Sequence, residues 1–284
     1  MEWEWYQDSG EFAQAAWPLL SKQEDRYSLF LGVLAQIKEG RYEKFVIGIA
    51  RDAQGFAAFA LMTPPHPLQL IVLRESAGLE ALVAQKFLET GLAVPGVIGD
   101  KVAAQQFAQA WNGLTGEQVY VAMDQGLYRI DAVRKKLAKS PGSWRVANRF
   151  DTELLIGWYV LFSEETGIGT PSPAEAKERI ADFINRKEVF LWEHDGRAVA
   201  CMKKARPSKH GVTVSFVFTP KAWRKKGYAR SLVAEVTEEL LEEYDFAMLY
   251  TDLSNGTSNK IYQEIGYEQI ANPIHLKFEA NMRE

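Results

Sequence analysis

Apolar and polar positions along the first half of the chain follow two different periods. Residues 44–52 and 55–63 are short apolar runs typical of strands, and the Gln54-Gly55 pair between them predicts a hairpin. Residues 78–90 instead repeat apolar side chains at the spacing of one helical face. This half therefore predicts strands and helices in alternation, as in an α/β protein.

The second half repeats this order of elements. His-Asp-Gly at 194–196 lies between two strand-like runs and predicts a hairpin. Residues 211–219 place apolar side chains at alternate positions 212, 214, 216 and 218, which predicts a strand with these four on one face. Residues 229–244 predict a helix. Each half thus reads β-α-α-β-β-β-α-β-α-β, and in the first half we predict a closing hairpin over 117–133.

A linker is predicted between the halves. Residues 135–143, KKLAKSPGS, are basic and then rich in Pro, Gly and Ser, without apolar periodicity. The length of 284 residues agrees with two domains, at roughly 100–200 residues each. We therefore predict two domains, 1–138 and 139–284.

Composition narrows the classes of function. The chain is 47% apolar and 25% charged, as globular proteins are, and its net charge of -4 gives no basic field for a nucleic-acid partner. One cysteine, Cys201, and four scattered histidines show no metal-binding spacing, so we expect no metal. No apolar run approaches the ~20 residues that span a bilayer, and the acidic start is unlike a signal peptide. We therefore expect a cytoplasmic protein without a membrane partner.

One segment has the character of an anion site. Five of the ten residues from Lys221 to Arg230 are basic, in an acidic chain, and four of the five precede Gly227, where a helix is predicted to start. Helix-start amides lack internal partners and attract anions, and glycine lets an anion approach the backbone closely. The alternative is a solvated basic surface, and spacing alone does not decide between the two.

Two segments of the second half resemble the Gcn5-related N-acetyltransferase (GNAT) superfamily. Residues 224–229, Arg-Lys-Lys-Gly-Tyr-Ala, match its Arg/Gln-x-x-Gly-x-Gly/Ala signature between a strand and a helix, and 249–270 resemble its final motif. The resemblance covers 144–280 and implies an α/β fold of tandem GNAT-like domains, each a mixed, mostly antiparallel twisted sheet flanked by helices. Over 1–135 only the order of elements matches, so we interpret this half as a degenerate GNAT-like domain.

The resemblance also implies roles for individual residues. Backbone groups of Val217 and Thr219 would pair with the pantetheine arm of acetyl-CoA, the co-substrate, and Phe218 would help to form the thioester pocket. Tyr262 matches the tyrosine that protonates the departing thiolate. The diphosphate would be held by the amides of Lys225, Gly227, Tyr228 and Ala229 and the charges of Arg224, Lys226 and Arg230, while Asn255 and Asn259 would line the coenzyme.

Several of these side chains have a structural alternative. Tyr262 also suits simple packing on a short helix, and Cys201, the one thiol, is favoured as core over nucleophile. The aromatic and acidic side chains of 152–166 suit either a wall for a cationic acceptor or ordinary core and surface. The general base stays open, and on spacing the candidates are Glu193, His194 and Asp252.

The resemblance implies an enzyme, an N-acetyltransferase that passes the acetyl group of acetyl-CoA to a primary amine by direct attack. The acceptor would be a small-molecule or peptide amine, and the chain a monomer or homodimer. One alternative is a non-catalytic acyl-CoA-binding or regulatory module of the same fold. Another is a tandem GNAT-like aminoacyl transfer enzyme, whose usual coiled-coil arm or wide basic surface the sequence does not show.

The corresponding loop of the first half differs in charge. Residues 73–80 hold a single arginine, Arg74, against Glu75 and Glu80. Acids at a diphosphate site are unfavourable, so this loop lacks the positive potential that coenzyme binding needs. We therefore predict one coenzyme site per chain, in the second half.

Overall fold

The structure, a computed structural model, describes residues 1–167 and 169–280. The predicted order of elements is confirmed in both halves, with one further strand after them. The first half forms β1 (Glu2–Tyr6), α1 (Ser9–Leu20), α2 (Ser28–Lys38), β2 (Val46–Asp52), β3 (Gly55–Met62), β4 (Leu68–Val72), α3 (Leu79–Glu89), β5 (Gly96–Asp100), α4 (Lys101–Thr115) and β6 (Gln118–Ile130). The second forms β7 (Ser143–Val146), α5 (Thr152–Thr166), α6 (Pro173–Asn185), β8 (Val189–His194), β9 (Arg197–Ala205), β10 (Gly211–Phe218), α7 (Tyr228–Leu240), β11 (Phe246–Asp252), α8 (Gly256–Ile265), β12 (Glu268–Ala271) and β13 (Pro273–Glu279).

By packing, the chain divides into two compact units that are not continuous in sequence. The first unit contains Met1–Tyr128, Thr251–Gly256 and the segment from Gln269 onward. The second contains Arg129–Tyr250 and Thr257–Glu268. Strand β13 thus belongs to the first unit although it is made last. The domain ranges 1–138 and 139–284 stay a prediction, because packing does not show which range folds on its own.

The sheet of the first unit has helices on both faces. Its strand order is β1-β2-β3-β4-β5-β13-β6, with β4 and β5 parallel and the other neighbours antiparallel. Phe59 and Leu61 of β3 join the core under α1 and α2, whereas Ala58, Ala60 and Met62 join the core under α3 and α4. Successive strand residues point to opposite faces, so this division follows directly from the pleat.

The sheet of the second unit has the order β11-β10-β9-β8-β7. Only β10 and β11 are parallel, and the other neighbours are antiparallel. Helices α5 and α6 cover a core that includes Leu155, Ile180 and Leu191, while α7 packs against β8, β9 and β10. Both units therefore show the mixed, mostly antiparallel α/β architecture predicted from the sequence.

The closing hairpin predicted over 117–133 is wrong, because β6 is one continuous strand. Gly126 does not form a turn there. A Cβ at this position would lie 2.7 Å from the ring of Tyr128 and 2.9 Å from Leu253, so Gly126 serves a close approach of neighbouring side chains. Across 1–167 and 169–280, no helix is both long and apolar enough to cross a bilayer.

Candidate active site

A β-bulge interrupts β10 near its C-terminal end. The register with β9 pairs Ser215 with Lys203 and next pairs Phe218 with Cys201, so β10 carries one extra residue. Phe216 in the bulge has a φ of 47°, a left-handed conformation that bulky residues rarely adopt. Bulges of this kind recur beside active sites, where they redirect a strand.

Strand β10 is paired with β11 over its first part only. Their parallel register runs from Gly211 opposite Phe246 to Val214 opposite Leu249. Among the described residues, no β10 residue beyond Val214 is paired with β11. The backbone groups of residues 215–218 on the β11 side of β10 therefore have no pairing partner in β11.

The bulge also overturns the predicted alternation of residues 212, 214, 216 and 218 on one face. All four side chains are buried. The core under α5 and α6 includes Phe216 and Phe218 but neither Val212 nor Val214. One extra residue changes which face each later side chain occupies, so the prediction fails at the bulge.

The end of β10 is tied to the core and to the basic loop. Phe218 is 5% exposed, and its ring centroid lies 6.0 Å from that of Trp158. The backbone carbonyl of Thr219 accepts a hydrogen bond of 2.8 Å from Arg224 Nε. Thr219 Oγ1 is buried and has no hydrogen-bond partner within the described part of the chain. Val217 is half-buried.

Two left-handed residues shape the loop before α7. Lys225 has a φ of 63° and Gly227 a φ of 79°, and the helix begins at Tyr228. No side chain caps this helix start. A Cβ at Gly227 would lie 2.7 Å from Ser140 Oγ, so glycine is required by space as well as by conformation. The amides of the first turn, including those of Tyr228 and Ala229, have no intrahelical acceptor.

The basic side chains of the loop differ in their surroundings. Arg224 Nη2 donates to both carboxylate oxygens of Glu165, at 2.8 and 2.6 Å. Lys226 Nζ lies 4.7 Å from the ring centroid of Trp223, while Lys225 is exposed. The charge of Arg224 is therefore partly balanced by Glu165, and the net positive potential comes mainly from the lysines.

Arg230 of α7 contacts α8, and Tyr262 of α8 contacts Tyr267, which follows that helix. Arg230 Nη1 donates to Glu264 at 3.0 Å. Tyr262 is 8% exposed, and burial raises the pKa of its hydroxyl to about 12. Its ring lies 6.1 Å from that of Tyr267, whose hydroxyl is 2.9 Å from Thr237 Oγ1.

The two predicted coenzyme asparagines lie near the start of α8. Asn255, in the turn after β11, donates its N–H to the carbonyl of Asp252 at 3.0 Å. Asn259 lies within α8 and is partly buried.

All three general-base candidates have polar partners, and that of His194 is Asp195, whose carboxylate oxygen lies 3.4 Å from His194 Nε2. Glu193 forms an ion pair of 3.0 Å with Arg145, and a carboxylate oxygen of Asp252 accepts the Ser254 N–H at 2.8 Å. His194 lies with its ring centroid 5.5 Å from that of Tyr228.

The core interpretation of Cys201 agrees with its complete burial, which raises the pKa of its thiol. The aromatic side chains of α5 also pack inward. Tyr159 and Phe162 have ring centroids 5.3 and 5.1 Å from Phe216. They belong to the core, so they do not form an open wall for an acceptor. No group of three or more His, Cys, Asp or Glu that could hold a metal occurs in 1–167 and 169–280.

The corresponding loop of the first unit has a similar glycine at its helix start, but it lacks the preceding bulge and the run of basic side chains. Gly78 precedes α3 with a φ of 77°, almost the same as Gly227. Strand β4, however, keeps an unshifted register with β3 throughout. Arg74 forms an ion pair with Asp52 and donates to the Phe56 carbonyl at 3.3 Å, and the guanidinium lowers the pKa of Asp52. Its charge is therefore engaged within the unit.

Sequence reasoning missed one residue at this site. Ser140, within the predicted linker, is 8% exposed, and its Oγ donates to the carbonyl of Lys226 at 2.8 Å. A Ser-Pro-Gly-Ser stretch predicts an exposed loop, and no sequence signal marks Ser140 as a contact of the basic loop.

Comparison with known proteins agrees with this geometry. Residues 198–276 match the family described as FR47-like protein, and this range contains both the bulge and the basic loop. Among curated proteins, none matches the sequence significantly.

Solved structures match nearly the whole chain, among them the following three. A GNAT-family acetyltransferase from Colwellia psychrerythraea is 13% identical with a TM-score of 0.61, over 98% of this chain and 100% of that one. A Drosophila protein is 10% identical with a TM-score of 0.68, over 98% and 99%. A tandem GNAT protein from the clavulanic acid biosynthesis pathway is 10% identical with a TM-score of 0.57, over 99% and 100%. At these identities the likeness is one of fold: the chain has the fold of tandem GNAT proteins, and residues 198–276 resemble the FR47-like family in sequence.

Proposed function

We propose that the chain is an N-acetyltransferase that uses acetyl-CoA and a primary amine as its two substrates. The observation that carries the proposal is that the bulged end of β10 lies next to the basic loop, in which Lys225 and Gly227 have left-handed backbone conformations. Phe216 marks the bulge, and Arg224 Nε joins the loop to the strand end at Thr219. The loop then enters α7 through Gly227. The N-terminal half shares the glycine but has neither the bulge nor the basic run.

The residues present fit a coenzyme with a diphosphate and an extended arm. Lys225, Lys226 and the uncapped first turn of α7 combine positive charge with amides that lack intrahelical acceptors. The pantetheine arm would pair with the backbone of Val217 and Thr219 as an added strand, because this edge of β10 has no partner in β11. That Asn255 and Asn259 line the coenzyme stays a prediction from the resemblance.

Acetyl-CoA supplies an acetyl thioester, and the transfer forms a C–N bond while the C–S bond breaks. Backbone amides at the end of β10 would stabilise the oxyanion that develops on the carbonyl. Tyr262 would give its hydroxyl proton to the departing thiolate and regain one from water, while the amine proton passes to water. Tyr262 is protonated at neutral pH, as a proton donor must be, and burial raises its pKa further, to about 12.

A non-catalytic acyl-CoA-binding module is the second candidate. The partners of Glu193, His194 and Asp252 favour it, because each of the three candidate bases already has a polar contact. Turnover separates the two functions, since both would bind CoA.

We expect purified protein to melt at a higher temperature with CoA, because a ligand of the native state stabilises it by mass action. We also expect release of free thiol from acetyl-CoA that depends on an added amine, measured with a thiol reagent over a panel of amines and peptides. A CoA-induced shift without thiol release on any amine would favour the binding module. No shift at all would contradict both candidates.

We expect one CoA per chain. The loop at Gly78 lacks positive potential because Arg74 is paired with Asp52, with Glu75 and Glu80 nearby in sequence. Calorimetric titration of the full-length protein should saturate near one equivalent. Saturation near two equivalents would show that the first unit also binds the coenzyme.

A further inference from the structure

The middle of the predicted linker is hydrogen-bonded to the basic loop and to the start of α7. Three hydrogen bonds join residues 138–140, called here the linker segment, to this region. The carbonyl of Ala138 accepts from Arg230 Nη2 at 3.1 Å. The N–H of Ser140 donates to Ser231 Oγ at 2.8 Å, and Ser140 Oγ donates to the Lys226 carbonyl at 2.8 Å. The segment is therefore part of the loop's support.

The third bond fixes the orientation of one peptide group. In a planar trans peptide, the carbonyl of one residue and the N–H of the next point in opposite directions. The Lys226–Gly227 bond is trans, since within 1–167 and 169–280 the cis bond is that of Pro64–Pro65. Because Ser140 holds the Lys226 carbonyl toward the linker segment, the Gly227 N–H points away from it.

This orientation is not guaranteed by the loop itself. Lys225 and Gly227 are both left-handed, and glycine is equally at ease at negative φ, so the peptide between 226 and 227 has an accessible flipped form. A flip would aim a carbonyl oxygen at the side where the N–H now lies. The N–H attracts an anion, whereas the carbonyl oxygen would repel it.

We propose that Ser140 is a positioning residue for the diphosphate of the coenzyme, acting by holding the 226–227 peptide with its N–H toward the anion. This inference rests on the proposed function, since it presumes CoA as the ligand. The same contact brings Ser140 Oγ so close to Gly227 that a Cβ at residue 227 would lie only 2.7 Å from it. Serine at 140 and glycine at 227 therefore form a matched pair.

The test compares Ser140→Ala with two controls in full-length protein. Ser231→Ala removes the acceptor of the Ser140 N–H but keeps the Ser140 hydroxyl on Lys226. Lys139→Met removes the 2.7 Å ion pair of the same segment with Glu235. Ser140→Cys keeps the side-chain size with only a weak donor and serves if the alanine variant does not fold.

We expect Ser140→Ala to weaken CoA binding about tenfold by calorimetry, the order for loss of one hydrogen bond. The KM for acetyl-CoA should rise in parallel while kcat at saturation stays near wild type, and inorganic pyrophosphate should compete less well. Ser140→Cys should resemble Ser140→Ala. Ser231→Ala and Lys139→Met should bind CoA as the wild type does.

Wild-type affinity in both Ser140 variants would overturn the role of Ser140 while leaving the proposed function intact. An equal loss in Ser231→Ala would also overturn it, because the linker segment would then act by general support. Failure of wild-type protein to bind CoA would instead overturn the proposed function.

Discussion

Gly227→Glu abolishes CoA binding while the chain stays folded: this is the largest effect that we expect from a single substitution. The new carboxylate would stand beside the diphosphate, and a like-charge pair ~4 Å apart costs about 4 kcal/mol at an effective dielectric constant of 20. That corresponds to roughly a thousandfold weaker binding. The left-handed φ of 79° adds a backbone penalty of about 1–2 kcal/mol, and the Ser140 side chain must move away from the new Cβ, so the melting temperature should also fall by several degrees. Calorimetry with CoA and circular dichroism measure the two effects.

The first unit offers a matched control. Gly78→Glu introduces the same side chain at a φ of 77°, also before a helix, where no atom lies within 4 Å of the new Cβ. It carries the same backbone penalty, but we expect unchanged CoA affinity. Gly227→Ala, without the charge, should fall between wild type and Gly227→Glu. Equal losses in Gly78→Glu and Gly227→Glu would contradict a single site at α7.

Tyr262→Phe should lower kcat by about 10²–10⁴, the range for loss of a general acid, with CoA affinity close to wild type. The ring stays in place, so packing against Tyr267 is kept and only the hydroxyl group, with its proton, is lost. Burial raises the Tyr262 pKa to about 12, so the hydroxyl stays protonated from neutral pH up to about pH 10. The wild-type kcat should therefore show no decline from loss of this proton over that range.

Tyr267→Phe is the control for Tyr262. Its hydroxyl is bonded to Thr237 inside the core, and its removal leaves Thr237 Oγ1 without this partner. We expect a lower free energy of unfolding, by about 1–3 kcal/mol, with kcat near wild type. Unchanged turnover in Tyr262→Phe on every acceptor would remove Tyr262 from the chemistry.

The order of elements was predictable because each strand and helix carries its own period. The helical pattern predicted over 78–90, for example, corresponds to α3, Leu79–Glu89. The basic loop was also predictable, because its residues are contiguous and its glycine is required by local conformation. Local preference is sufficient wherever the partner of a segment does not change its pattern.

The remaining features depend on partners far away in sequence. The bulge at Phe216 arises from the register with β9, and the alternation of 211–219 carries no trace of it. The ion pair of Arg74 with Asp52 depends on the loop packing beside the β2–β3 hairpin. Ser140 gains its role only because residue 226 lies next to it in space. None of these contacts changes the local pattern, so sequence periodicity cannot show them.

The position of β13 determines which of the two units can complete its sheet first during synthesis. Residues 273–279 lie between β5 and β6 and pair with both. Until the ribosome has released them, the facing edges of β5 and β6 lack the strand that separates them, and open strand edges invite wrong partners. All strands of the second unit are made before β13. The unit that starts first on the ribosome is therefore the one that finishes last.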